Sequence, residues 1–550
     1  MNEPWFQNYN PLSNVFLSTA AAALPAIILF YLLAVRRTAA WKAAIYAFLA
    51  AVLLALVVFR MPAHMLAGAV ASGLTYGWWR IAWVVVAAVF VYEVTVESGQ
   101  FENLKQSIGQ IADDPRLQAL LIAFAFGALL EGAGGGGAPV AITAAMMIGL
   151  GFPPFATALL CLLANSAPVA FGGLGNPIRT LTAVTGLPAA DFSAMVGRIL
   201  PLTTLVLPFW LIRMIASTAD TLAIWPGLLV CGVTFGGIQF FWSNFMDESL
   251  VDILGGIGTL LVLAFFFRKI WKPARIWEAP DWKIPAGSRR PVLTFAQILK
   301  AWSPFLLLAV FVVVWGLPAV AKFLDQFSWK GPVPGLDHLV FRQPPAVLKA
   351  YAEPAVFDVS WLSTVGTGTF FSGLLTGPLL GLSIGQTMRV FFRSFFRLRY
   401  SIIAILAMLS LGYLTRYCGM DATLGLALSN TGVLFPLFGT LIGWLGVALS
   451  GTDAGSNALF GSLQMITANK LGLSPILMGA ANSAGGVMGK MIAAQSLVIA
   501  CAVTGQEGKE GLLFRAIAKH SLALAFLVGL LVLMYAYVFP GAIPSGHHFW

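Results

Sequence analysis

Ala164-Asn165-Ser166-Ala167-Pro168-Val169-Ala170-Phe171-Gly172 and Ala481-Asn482-Ser483-Ala484-Gly485-Gly486-Val487-Met488-Gly489 are two versions of one phrase, set 317 positions apart. Each follows a small-residue stretch that carries a carboxylate. In the first half this is Leu130-Glu131-Gly132-Ala133-Gly134-Gly135-Gly136-Gly137-Ala138-Pro139. In the second it is Ser450-Gly451-Thr452-Asp453-Ala454-Gly455-Ser456-Asn457-Ala458. The same offset carries Ala133 onto Ser450, so paired segments repeat together. Four consecutive glycines make a poor lipid-facing helix, because they lose the most backbone entropy and pack nothing. Broken backbone at membrane depth is tolerated only inside protein or along a watery cavity. Paired Gly/Pro-interrupted segments in two halves of a membrane chain mark the binding site of a repeat-built secondary transporter. Close helix packing also favours Gly and Ala, but it does not explain Glu131, Asn165, Asp453, Asn457 and Asn482 lying in the same segments, since polar groups are costly in lipid.

The rest of the chain supports a membrane reading. Of 550 residues, 59% are hydrophobic and only 10% charged, with a mean hydropathy of +0.86. A soluble protein averages about 45–50% apolar and about 25% charged residues. Apolar runs of about twenty residues, the length that spans a bilayer as helix, fall at 15–35, 41–59, 77–98, 196–216, 221–243, 249–267, 302–321, 361–383, 400–416, 433–450 and 520–540. The stretches 118–175 and 451–505 are apolar but interrupted. The expected fold is an all-α polytopic membrane protein with about 12 transmembrane helices, an inverted repeat and broken or re-entrant helices. Residues 1–267 form an N-terminal membrane half holding the first motif (131–172). Residues 268–300 form a basic loop, and residues 301–550 a second half holding the other motif (450–496).

The formal net charge of +10 reads as topology, not as nucleic-acid binding. More than half of the 32 basic residues fall in four clusters, at 36–42, 268–300, 389–399 and 509–519. The positive-inside rule puts these on the cytoplasmic side. The charge-balanced segment 322–360 then faces outside, as do both termini. The start, Met1 to Asn14, is polar without a basic leader and reads as retained. Cys161, Cys231, Cys418 and Cys501 are too scattered for a metal site or a disulfide framework and read as core residues. Residues 485–491 have Ala484 and Met491 where a phosphate-binding loop needs Gly and Ser or Thr, which argues against ATP-driven transport. A membrane enzyme would need a clustered nucleophile and base or metal ligands, and no such motif is present. A channel would need a filter repeat, also missing. No cofactor is implied, and nothing in the sequence sets an oligomeric state.

At the motif residues the chain resembles the L-lactate permease family. The resemblance rests on Glu131-Gly132-Ala133 through Gly137-Ala138-Pro139-Val140-Ala141-Ile142-Thr143, Asn165 to Gly172, Ser450-Gly451-Thr452-Asp453 with Ser456-Asn457-Ala458-Leu459-Phe460, and Gly489-Lys490-Met491-Ile492 with Gln495-Ser496. Shorter matches are Ala88 to Tyr92, Ser98 to Phe101, Trp444 to Val447 and Lys519-His520-Ser521. It runs collinearly over nearly all of the chain. It implies a bacterial inner (plasma) membrane permease taking up L-lactate with a proton, with D-lactate and glycolate in its range. It also implies inverted repeats with re-entrant hairpins. The chain departs from the family at Gly134 and Gly136, where Ala and Phe are usual, and at Glu93, Glu97 and Arg179, which inherit no role.

Candidate roles follow from the cargo, a carboxylate with one hydroxyl. Half-helix N-termini offer free N–H groups and a positive dipole end, so backbone at 132–138 and 451–457, including Gly135, Gly137, Ala138 and Thr452, suits the carboxylate. Asn165, Ser166, Ser456, Asn457, Asn482, Ser483 and Gln495 supply amide and hydroxyl contacts. Lys490 is the candidate cation, or else a lysine snorkelling to the interface. A carboxyl group in low dielectric can load and unload a proton near neutral pH, which nominates Glu131 and Asp453 for proton coupling; the alternative is a carboxylate that caps a half-helix. His520 reads as an interface residue, and Glu93 and Glu97 as solvated. A Na⁺-coupled carboxylate carrier of the same architecture is the alternative function.

Overall fold

A computed structural model describes residues 3–32, 36, 38–134, 138–277, 293–347, 349–506 and 509–544. Gly135, Gly137 and residues 278–292 of the basic loop lie outside the described residues. Ten helices among those described are long and apolar enough to cross a membrane, or eleven if the bent pair Pro154–Ala164 and Val169–Thr185, which turns by 59°, counts as one span. Val15–Leu29 and Trp41–Val57, expected as full spans, are shorter apolar helices. The expected span at 361–383 is a helix of only 15 residues, Val365–Leu379. Conversely, Ala63–Glu97 and Ile384–Cys418 each run for 35 residues, well beyond the apolar runs that announced them. The second starts with a Ser383/Gln386 capping box and stops at Gly419, whose left-handed φ of 88° closes the last turn.

The expected outer segment, 322–360, carries four of the five strands among the described residues. Trp5–Phe6 lies parallel to Val340–Phe341 of the strand Val340–Arg342, whose Phe341 and Arg342 pair antiparallel with Ala352 and Tyr351; Trp329–Pro332 and Val356–Val359 form a separate antiparallel pair. Under this cap sits a buried ionic cluster. Arg342 pairs with Glu353 and, at 3.5 Å, with Asp421; Arg416 donates to Glu353 at 2.9 Å. Gln7 fastens the N-terminal strand to it by donating to the carbonyls of Arg416 and Tyr417, each at 2.9 Å.

Two hairpins and two broken helices position the site. We label the helices α1 (Gly127–Gly134, the end of the span that begins at Pro115), α2 (Ala138–Gly149), α3 (Pro154–Ala164), α4 (Gly172–Thr185), α5 (Val251–Phe265), α6 (Phe435–Ser450), α7 (Asp453–Leu471), α8 (Pro475–Gly489) and α9 (Ala494–Val503). Hairpin α1–α2 packs on α5 and α4, and hairpin α6–α7 packs on α8 and α4. The first break runs through Asn165–Gly175: a 3-10 turn at Val169–Phe171 is followed by Gly173, Leu174 and Gly175, all with positive φ. The second is shorter, a 3-10 turn at Lys490–Ile492 and an extended Ala493 between α8 and α9.

Candidate functional site

The glycines expected to unwind the second motif instead stay helical. Gly485, Gly486 and Gly489 lie inside α8, where a Cβ would collide with the backbone of Thr440, the Asp453 carboxylate and the backbone of Trp444. Here glycine serves close approach, so α8 can lie against α6, and the chain breaks one residue later, at Lys490. In the first motif glycine does serve the break. Gly173 and Gly175 take the left-handed region, which costs a glycine little, and hold Leu174 there between them.

These choices bring both motifs to one place. A cavity of about 750 Å³ is lined by Glu131 and Ala133 from α1, by Gly172, Gly173 and Asn176 from α4, by Ser450 and Thr452 to Gly455 from the second hairpin, and by Lys490 and Gln495 from the second break. The motifs also touch directly, since Asn457 Nδ2 donates to the carbonyl of Pro177 at 3.1 Å.

Glu131 is buried, with only 3% of its surface exposed. It accepts from Asn165 Nδ2 at 2.9 Å and lies against Gly172, where a Cβ would come within 2.7 Å of Oε1. Asp453 is buried at the first position of α7 and accepts from Ser483. Thr452, not Asp453, is the cap of that helix, its hydroxyl accepting from Gly455 N at 3.1 Å. A helix leaves its first N–H groups without intrahelical partners. Asp453 and Ala454, the first two residues of α7, both line the cavity. Lys490 is buried and not snorkelling: Nζ donates to the carbonyl of Gly451 at 2.7 Å. Its charge acts on both Glu131 and Asp453, while neither forms a direct ion pair with it among the described residues.

The other nominated side chains stand behind this wall. Asn482 Nδ2 donates to Asn457 Oδ1 at 2.9 Å and to Ser456 Oγ at 3.4 Å, and its Oδ1 accepts from Gln464 Nε2 at 3.1 Å. Ser456 donates to Gly443 O and Ser166 to Leu163 O. Asn165 and Ser483 each hold a carboxylate. Ala138 begins α2. Gln495 lines the cavity beside Gly451. His520 accepts from Trp210 Nε1 at 3.0 Å. Glu93, expected to be solvated, is paired with Arg397 at 2.5 Å and lines the same cavity, its side chain 12% exposed; Glu97 pairs with Arg393. Two arginines of Ile384–Cys418, Arg393 and Arg397, reach back to these acids, a pairing that no local pattern announces. Asn176 was also missed. It lines the cavity with a buried Oδ1 that has no partner among the described residues, and the only hint was its position between Gly175 and Pro177.

The sequence profile described as L-lactate permease matches residues 18–539. The chain belongs to the L-lactate permease family. It is 42% identical to the glycolate permease of Escherichia coli (strain K12) over 98% of its own length and 100% of that protein. It is 41% identical to the L-lactate permease of Salmonella typhimurium, with the same two coverages. Among solved structures it resembles the YdaH transporter of Alcanivorax borkumensis, with a TM-score of 0.44 and 15% identity, over 86% of this chain and 88% of that one. As an L-lactate permease family member with ten or eleven candidate spans, it is a multi-pass permease of the bacterial inner membrane and not an enzyme.

Proposed function

We propose that this permease imports L-lactate, and with it D-lactate and glycolate, by symport with a proton. The observation that carries the reading is that the two repeated motifs meet on one cavity around a buried lysine and two buried carboxylates. The lactate carboxylate is held by the two donors of Lys490 Nζ not spent on Gly451 and by the N-terminal amides of α7, a charge-assisted arrangement. The hydroxyl meets Asn176 Oδ1 or Gln495. One proton, carried on Glu131 or Asp453, makes each cycle electroneutral, so the pH gradient drives uptake. The curated relatives support the substrate class, as lactate and glycolate permeases at 41% and 42% identity.

The test is uptake of labelled L-lactate into proteoliposomes under an imposed pH gradient, with D-lactate, glycolate and a dicarboxylate as competitors. Accumulation that follows the pH gradient, is blocked by the two monocarboxylates, and is lost in Glu131→Gln or Asp453→Asn supports the reading. Accumulation that needs a Na⁺ gradient and ignores pH overturns it.

A further inference from the structure

The cavity's carboxylates have a neighbour that plays no part in the site so far. Asp252, at the second position of α5, is fully buried, and neither carboxylate oxygen has a hydrogen-bond partner among the described residues. It is pressed onto α1 through Gly132, where a Cβ would sit 2.7 Å from Asp252 Cβ and 2.8 Å from Ile253 N. One turn along, Gly256 makes the reciprocal approach, its Cβ position lying 2.6 Å from Leu129 N. The two glycines let the helix backbones meet and so set Asp252 beside the residue next to Glu131. Among the described residues, Glu131 is the charged group that acts on Asp252. Arg179, on α4, which also packs against α5, is engaged by Glu248 at 3.0 Å and by Ser249. Lys490 acts on Glu131 and Asp453. A carboxylate in low dielectric with neither donor nor counter-charge is not sustained. An acid placed here stores a proton.

We infer that Asp252 is a positioning and relay acid for the coupling proton, exchanging it with Glu131 and never touching the substrate. The inference rests on the symport reading above. The proton leaves one carboxyl oxygen as the other carboxylate takes it up, so charge and atoms balance within the pair. Asp252 does not line the cavity, so its loss leaves substrate recognition in place.

The experiment uses the full chain in proteoliposomes with labelled L-lactate and compares wild type, Asp252→Asn and Asp252→Glu. Two modes are read: net accumulation under a pH gradient, and counterflow at equal pH, in which a carrier returns loaded and need not release its proton. The expected result for Asp252→Asn is loss of accumulation with counterflow kept and its half-saturation concentration unchanged, and for Asp252→Glu partial return of accumulation. Normal accumulation by Asp252→Asn overturns the inference. So does loss of both modes in both variants, which makes Asp252 a purely structural group. If the wild type itself fails to accumulate under the pH gradient, the symport reading falls, a result distinguishable from either.

Discussion

Lys490 Nζ donates to the carbonyl oxygen of Gly451 at 2.7 Å, joining the break between α8 and α9 to the tip of the second hairpin. Gly451 is the left-handed cap that ends α6, at φ 81°. One buried ammonium therefore satisfies a helix-end carbonyl and keeps two donors for an anion. Replacing Lys490 with Met should lower substrate affinity about 10- to 100-fold, the range expected for losing a hydrogen bond from a charged group. Arginine, with a longer planar fork, should not restore it fully. Counterflow half-saturation on protein that remains monodisperse in detergent reads the effect, and an unchanged value refutes the role.

Asn482 holds three partners, all of them on α7 and all of them buried. Asn482→Leu leaves Asn457 Oδ1 and a Gln464 N–H unpaired, at about 1–3 kcal/mol for each unsatisfied group. The thermal midpoint of the purified permease should fall, and transport should decline with it, because Asn457 also secures α4 at Pro177.

Gly256→Ala puts a methyl group 2.6 Å from Leu129 N and 2.8 Å from Ala125 O. Backbone cannot step aside as a flexible side chain can, so α5 must move off its partner at a cost of about 1–3 kcal/mol. Thermal stability should drop. Gly237→Ala, where nothing lies within 4 Å, is the control that should leave it unchanged.

The strand-bearing segment 322–360 should loosen in acid. Lys330 and Ser363, bonded to Asp325 at 2.7 and 2.6 Å, hold its carboxyl down from 3.8 to about 2. Burial pushes the Glu353 carboxyl up, but the guanidinium groups of Arg342 and Arg416 outweigh it and keep the group below its usual 4.5. Both groups bind protons less readily in the folded state. Their contribution is therefore complete above pH 4.5 and is lost as the pH falls from there toward about 2. Hydrogen exchange of 322–360, corrected for intrinsic rate, should accelerate across that window; flat protection down to pH 2 contradicts it.

Membrane class and the two motifs were legible because they are local: apolar runs, glycine runs and a repeated Asn-Ser-Ala phrase. Span lengths were not. Ile384–Cys418 extends through an arginine-rich turn that hydropathy excludes, because Glu93 and Glu97 on another helix receive two of its arginines. Glycine was ambiguous in the same way. Its φ decides between Gly173, which breaks a helix, and Gly486, which lets two helices touch, and φ depends on what packs opposite. Asp252 gave no signal, being one acid at the start of an apolar run. Its meaning comes from Gly132, 120 positions earlier, and from the absence of any partner among the described residues.

The strand Trp5–Phe6 pairs with Val340–Phe341. During synthesis its partner emerges from the ribosome only after more than three hundred further residues, so the amino-terminal strip must wait on its side of the bilayer while most spans insert. The small sheet is thus a late clasp, closing over helices already in place. A bulky reporter fused ahead of Trp5 would burden that last closure more than the earlier insertion of the helices.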